Sequence, residues 1–171
     1  MESGMKLAKV LLAASVSLGL ATAAQAEQGK IEFKGKVLES ACVIDSGDLN
    51  QQIDFQEIPQ SRLNLGGKSD TQDFQIKLKN CDNSTMKNVD IAFSGNGGFG
   101  DTFGVTGVDN LGVIIAQNGK AIAPGSSVSN ILLQGDNTFD FQTYVMGDPA
   151  VGNDVTTGDF TSIANFVITY S

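Results

Sequence analysis

Residues 73–81 read DFQIKLKNC, and this stretch contains the two features that decide the fold. Its apolar side chains Phe74, Ile76 and Leu78 alternate with polar ones. Because successive side chains of a strand point to opposite faces, this alternation places the apolar set on a buried face and the polar set in water. The stretch therefore predicts a half-buried antiparallel strand. It ends on Cys81, one of two cysteines in the chain.

The same period of two recurs along most of the chain. Alternating apolar side chains are found in residues 31–37, 53–55, 89–93, 139–141 and 166–170. Residues 111–116 are apolar throughout, which is consistent with a strand buried on both faces, and Asn118-Gly119 suits a tight hairpin turn. No segment after residue 26 shows a convincing amphipathic helix. Short strands separated by turn residues predict an all-β sandwich.

The first 26 residues have the composition of a secretory signal peptide. A basic start, Met5-Lys6-Leu7-Ala8-Lys9, is followed by an uncharged run to Leu20 and by Ala24-Gln25-Ala26, an A-x-A cleavage site. The apolar run is too short and too rich in small residues for a good membrane span. Cleavage after Ala26 leaves 145 of the 171 residues (171 − 26), which is the length of one ordinary domain.

The charge balance of the chain after residue 26 is acidic. This part contains 9 basic and 18 acidic residues, for a net charge of −9. Nucleic acids require a basic surface to neutralise their phosphates, so no nucleic-acid partner is expected.

The two cysteines, Cys42 and Cys81, follow a leader that directs the chain to an oxidising compartment. An even pair of cysteines in that setting predicts a disulfide. Two unrelated buried thiols are the alternative that the sequence leaves open.

The chain lacks side chains that most classes of enzyme require. The chain has no histidine, which removes the usual general base and the commonest metal ligand. A two-carboxylate glycosidase is left open by composition, but the acidic residues fall at strand alternates and turns, as solvated surface residues do. Residues 95–100 match G-x-G-x-x-G without a following helix, so they predict a loop rather than a phosphate site. No catalytic, cofactor or metal site is predicted.

Both ends of the chain after residue 26 show the alternation that predicts a strand. Residues 29–42 read GKIEFKGKVLESAC, and residues 164–171 read ANFVITYS. The segment FKGKVL (33–38), the motif KNC (79–81) and the ending F-x-I-x-Y (166–170) stand in this order behind a signal peptide. In this respect the chain resembles the pilins of type 1 and P fimbriae, which the chaperone–usher pathway assembles.

The resemblance implies an incomplete immunoglobulin-like sandwich of six strands that lacks the seventh and is completed by donor-strand exchange. It divides the chain into the signal peptide (1–26), an N-terminal donor-strand extension (27–38) and a pilin domain (39–171). The implied site residues are the donor residues Ile31, Phe33, Gly35 and Val37, the groove and chaperone-binding residues Phe166, Ile168 and Tyr170, and the bonded pair Cys42 and Cys81. Pairing of residues 31–37 within their own sheet is the alternative.

The resemblance also implies a function. The chain is expected to be a structural subunit that polymerises into a surface fimbria supporting adhesion, and not an enzyme. Its implied partners are a periplasmic chaperone, an outer-membrane usher, other copies of itself and other pilins, and a host-cell receptor is left open. It is expected to pass through the periplasm to the cell-surface fimbria. The alternatives are a minor or adaptor fimbrial subunit, a single-domain sugar-binding adhesin, and a free secreted β-sandwich binding protein.

Overall fold

The computed structural model describes residues 29–35 and 41–171. Residues 1–37 and residues 38–171 form two separate units, and the second unit is called the body below. The predicted signal peptide and Val37 lie outside the described residues. None of residues 29–35 belongs to a strand or a helix.

The described part of the body contains nine strands, and the all-β class is confirmed. The strands are β1 (Val43–Ile44), β2 (Gln72–Cys81), β3 (Asn88–Gly95), β4 (Phe103–Gly104), β5 (Leu111–Gln117), β6 (Lys120–Ile122), β7 (Ser127–Ile131), β8 (Gly135–Gly147) and β9 (Ala164–Tyr170). Six of them have five residues or more, and the other three (β1, β4 and β6) have two or three residues. Among the described residues there is one short α-helix, α1 (Gln60–Leu63), which lies between β1 and β2 with 3₁₀ turns at Ser46–Asp48 and Asn64–Gly66. Within the described residues, no helix has the length and apolar character needed to cross a membrane.

The strands form two antiparallel sheets. The larger sheet has the order β1-β2-β8-β5-β4, with β6 beside β5, and the smaller sheet has the order β7-β3-β9. The longest pairing joins β2 to β8, whose register sets Phe74 opposite Phe141 and Ile76 opposite Phe139. Strand β9 therefore lies at one edge of the smaller sheet.

The core lies between the two sheets. Ile76 and Leu78 of β2 and Ile91 of β3 are fully buried, as the alternation of these strands predicts. The ring of Phe93 from the smaller sheet meets the ring of Phe141 from the larger sheet edge-on, with centroids 5.1 Å apart. Aromatic contact of this kind across the interior shows that the inner faces of the sheets pack on each other.

The predicted hairpin after β5 is confirmed. Every residue of β5 is buried, and Gln117 pairs with Lys120 of β6 across a two-residue turn. Asn118 and Gly119 have φ values of 52° and 75°. Positive φ at both central residues defines the type I′ geometry that matches the twist of the two strands.

The strand predicted around Ile53 and Phe55 is wrong. Residues 51–59 form no strand, because Oδ1 of Asp54 accepts a hydrogen bond from the backbone N–H of Gln56 at 2.8 Å. Gln56 adopts φ 57°, which turns the chain out of the extended conformation. Phe55 is half-buried, with its ring centroid 6.3 Å from that of Phe160. The apolar side chains of this segment thus reach the core from a loop.

Candidate functional site

Strand β9 has an edge that no described strand pairs with. It pairs with β3 along its whole length, from Val89 opposite Tyr170 to Gly95 opposite Ala164. Side chains on its inner face, Phe166, Ile168 and Tyr170, are half-buried and pack against the core, and those between them are exposed. An edge strand with an apolar inner face is a surface to which a further strand can be added.

The register of β3 and β9 determines which backbone groups face this edge. Asn88 and Ser171 exchange two hydrogen bonds, of 2.8 and 3.1 Å. Because hydrogen-bonded and non-hydrogen-bonded pairs alternate in an antiparallel ladder, the pairs Ile91–Ile168 and Phe93–Phe166 are non-hydrogen-bonded. The N–H and C=O groups of Phe166 and Ile168 therefore point away from β3. They form a row to which an incoming backbone can hydrogen-bond.

A groove of about 810 Å³ lies beside the beginning of β9. Its floor is apolar and comes from both sheets: Phe74, Ile76, Phe93, Phe103, Val113 and Ile115. One rim is formed by residues 48–56 and the other by residues 158–166. The groove gives access to the space between the sheets.

The predicted groove residues occupy two different places along β9. Phe166 lines the groove, whereas Ile168 and Tyr170 pack against the core further along the strand and are not among the residues that line it. The rim segments 48–56 and 158–163 were not predicted as part of the groove. The alternation at 53–55 predicted a strand where the structure has a loop, and residues 158–163 show no period of two.

The segment 29–35 presents an apolar face to solvent. The Ile31 side chain is 77% exposed and that of Phe33 is 89% exposed. The intervening charged side chains pair with each other, since Nζ of Lys34 lies 3.1 Å and Nζ of Lys30 lies 4.0 Å from a carboxylate oxygen of Glu32. A Cβ added to Gly35 would meet no atom within 4 Å. Residues 29–35 thus expose two large apolar side chains within seven residues.

The predicted disulfide is present. Cys42 and Cys81 are bonded, with their Cα atoms 4.2 Å apart. The bond lies beside the pairing of β1 with β2, in which Ile44 stands opposite Leu78. It therefore holds the start of the body to the end of the strand that contains Leu78, as the sequence predicts.

Removing this bond should lower the stability of the body. The two cysteines are 39 residues apart, and in the chain-entropy model a loop of this size corresponds to about 4 kcal/mol of unfolding free energy. We expect Cys42→Ala with Cys81→Ala to lose about 3–4 kcal/mol in urea unfolding. The mass of the native mature protein should rise by two hydrogen atoms on reduction. An unchanged mass would show free thiols and contradict the assignment.

The charged pairs resolved in the body lie outside the groove. Hydrogen bonds from Arg62 hold the pKa of Asp70 below its usual range, and a hydrogen bond from Lys79 does the same for Asp136. A carboxyl group whose pKa is lowered by folding stabilises the fold at pH values above its unfolded-state pKa. This stabilisation is lost as the pH falls through the folded-state pKa. Within the described residues, no group of three or more Cys, Asp or Glu side chains is arranged to hold a metal ion.

Comparison with known proteins points to one class. The family model described as fimbrial protein matches residues 31–171. Fimbria A protein of Serratia marcescens is 34% identical, over 97% of this chain and 99% of the relative. The major MR/P fimbria protein of Proteus mirabilis is also 34% identical, over 96% of this chain and 97% of the relative.

Two solved structures share the fold as well as the sequence similarity. The crystal structure of the P pilus rod subunit PapA has a TM-score of 0.71 at 32% identity, covering 77% of this chain and all of that one. A chaperone–usher pilus structure concerned with rod uncoiling has a TM-score of 0.74 at 31% identity, covering 93% of this chain and all of that one.

The two antiparallel sheets and these similarities place the chain in the class of structural β-sandwich pilins, and this class is non-enzymatic. The chain belongs to the fimbrial protein family. It is a structural pilin subunit that polymerises with other pilin subunits into fimbriae at the cell surface, and its fold is the immunoglobulin-like fold of the pilins.

Proposed function

We propose that the groove beside β9 receives the extension of a neighbouring subunit, with Ile31, Phe33, Gly35 and Val37 entering along the edge formed by Phe166, Ile168 and Tyr170. Before assembly, a strand of a periplasmic chaperone occupies the same groove, and an outer-membrane usher exchanges it for the extension. Residues 1–26 direct export into the periplasm. Residues 27–38 act as the extension and residues 39–171 as the pilin domain.

The observation that carries this proposal is the match between an exposed apolar segment and an apolar acceptor edge in the same chain. Residues 31–37 and β9 each span seven residues, about 23 Å at the rise of a strand. Ile31 and Phe33 expose an apolar face, and the groove presents an apolar floor. In a fibre of identical subunits, each chain supplies one extension to a neighbour and offers one groove to another.

The energy available from this insertion is large. Burial of Ile31, Phe33 and Val37 at about 1.5–3 kcal/mol each contributes roughly 5–9 kcal/mol before ordering costs. Hydrogen bonds to the outward N–H and C=O groups of Phe166 and Ile168 add about 0.5–1.5 kcal/mol each. Gly35 is assigned to a narrow point of the groove, because a glycine allows another backbone to approach closely.

The comparisons favour a shaft subunit. One relative is described as a major fimbria protein and one solved neighbour as a rod subunit. We infer that this chain is a major subunit rather than a minor or adaptor one. No described feature favours a sugar-binding adhesin.

The proposal predicts that the mature chain needs a partner strand to remain soluble. Residues 27–171 expressed in the periplasm alone should aggregate, because the apolar groove stays uncovered. Coexpression with the chaperone of the same chaperone–usher system should give a soluble one-to-one complex, measured by size-exclusion chromatography with light scattering. A monodisperse monomer that unfolds cooperatively without the chaperone, and remains so when residues 27–37 are removed, would contradict the proposal.

A further inference from the structure

The positive charge of the mature chain is concentrated in the extension. Residues 38–171 carry 6 basic and 16 acidic residues, a net charge of −10. Residues 27–37 carry three lysines, Lys30, Lys34 and Lys36, and two carboxylates, those of Glu27 and Glu32, for a net charge of +1. One third of the nine basic residues of the mature chain therefore stand within seven positions. Two bodies of this charge repel each other, whereas an extension and a body attract.

The groove has the opposite sign. The residues that line it include three carboxylates, those of Asp48, Asp54 and Asp159, and no lysine or arginine. Asp48 is buried, and its Oδ2 accepts the backbone N–H of Lys77 at 2.7 Å, so this carboxylate serves the fold. Asp54 and Asp159 are exposed, one on each rim. Oδ1 of Asp54 also accepts the backbone N–H of Gln56, but both carboxylates face solvent and can attract an approaching chain.

Strand geometry places the lysines where these carboxylates can attract them. When Ile31 and Phe33 face the groove floor, Lys30, Glu32 and Lys34 lie on the opposite face of the same strand, at the level of the rims. Paired or screened charges at a rim add little to affinity, but complementary charges speed the encounter of two surfaces. Such an attraction presupposes the proposed strand exchange and affects how fast the two subunits meet.

We infer that Asp54 and Asp159 form an electrostatic guide that recruits the lysine-bearing extension of a second copy of this chain to the groove. The guide sets the rate of assembly, whereas the apolar face formed by Ile31 and Phe33 sets the stability of the joint. Guidance weakens with salt, because the screening length falls from about 20 Å near 20 mM salt to a few ångströms near 500 mM.

The test measures assembly of the intact mature protein. Fimbriae are dissociated in guanidinium, the subunits are refolded by dilution, and the appearance of SDS-resistant multimers is timed at low and at high salt. Lys34→Glu is compared with Lys120→Glu, an exposed lysine at the β5–β6 turn that does not line the groove. Both variants change the net charge equally. We expect Lys34→Glu to slow assembly about three- to tenfold at low salt and Lys120→Glu to have little effect.

The groove variants separate local guidance from general repulsion. Asp159→Lys and its control Asp73→Lys, an exposed position on β2 outside the groove, both reduce the negative charge of the subunit. General repulsion predicts that both assemble faster, whereas the guide predicts that Asp159→Lys assembles more slowly. Asp54→Asn keeps an oxygen for the N–H of Gln56 and should also slow assembly. The combined variant Lys34→Glu with Asp159→Lys keeps the original net charge and should recover most of the rate.

Each outcome decides one point. Equal rates for Lys34→Glu and Lys120→Glu, or faster assembly of Asp159→Lys, would overturn the guide while leaving strand exchange intact. Normal assembly of Phe33→Asp in the same assay would instead contradict the proposed strand exchange itself. If refolding gave monomers at a rate independent of protein concentration, each extension would have entered its own groove. That result would also overturn recruitment of a second copy.

Discussion

Cells that produce the Phe33→Asp variant should bear no fimbriae, although the subunit itself should fold normally. Phe33 is 89% exposed, so the change removes little buried apolar surface from the free subunit. In the fibre, the variant loses the roughly 1.5–3 kcal/mol of phenylalanine burial. The new carboxyl must also be protonated to enter an apolar groove, which costs about 4 kcal/mol at pH 7. Together these losses cancel most of the roughly 5–9 kcal/mol available from insertion.

The measurement has two readouts. Surface fibres are counted by electron microscopy, and the amount of subunit that copurifies with its chaperone is determined in the same cells. Phe33→Leu is the matched control and should keep most of its fibres. Gly35→Leu should reduce fibres by overpacking, at about 1–3 kcal/mol, while also leaving the chaperone complex intact. Normal fibres from Phe33→Asp would refute the donor assignment, and loss of its chaperone complex would place Phe33 in the folded domain.

The Phe166→Asp variant should lose both the chaperone complex and the fibre. Phe166 is half-buried, lines the groove and stands opposite Phe93 of β3. Aspartate at this position removes an apolar wall that every inserted strand uses and places a carboxylate against the core. Truncation of a fully buried aromatic residue lowers the free energy of unfolding by about 3–5 kcal/mol. Because Phe166 is only half-buried, we expect a loss near the lower end of this range.

The control for this variant is the next residue of the same strand. Val167 is 58% exposed and points to the opposite face, so Val167→Asp adds the same charge without entering the groove. Its chaperone complex and its fibres should be retained. Ile168→Asp, which returns to the inner face, should behave like Phe166→Asp. If Phe166→Asp and Val167→Asp had equal effects, the acceptor edge would not lie on the inner face of β9.

The strands that the sequence predicts correctly are those whose own residues carry the full pattern. In β2 and β3, Ile76, Leu78 and Ile91 alternate with polar residues over several positions, so burial on one face follows from the chain itself. The hairpin at Asn118-Gly119 is equally local, because positive φ values select these two residue types. These elements can therefore be predicted from the local sequence, without information on distant contacts.

The two segments that the sequence did not predict correctly also have physical explanations. Ile53 and Phe55 alternate like a strand, but the backbone N–H of Gln56 donates a hydrogen bond to the Asp54 carboxylate, and the turn at this point leaves the segment as a groove rim. The other rim, residues 158–163, is positioned by contacts with distant residues, such as the paired backbone groups of Thr106 and Thr161. No local pattern encodes such contacts, and the sequence therefore indicated the strand at residues 164–170 without the loop segments beside it.

The position of the disulfide has a mechanical consequence. Tension on the extension of a subunit reaches the body along the chain at Ala41 and Cys42, just before the two-residue strand β1, which alone would peel away easily. The covalent link to Cys81 transfers that tension directly to β2, a ten-residue strand held by β8. In a fibre joined by its extensions, the pulling force would bypass the weakest ladder of the sandwich and be shared across its longest one.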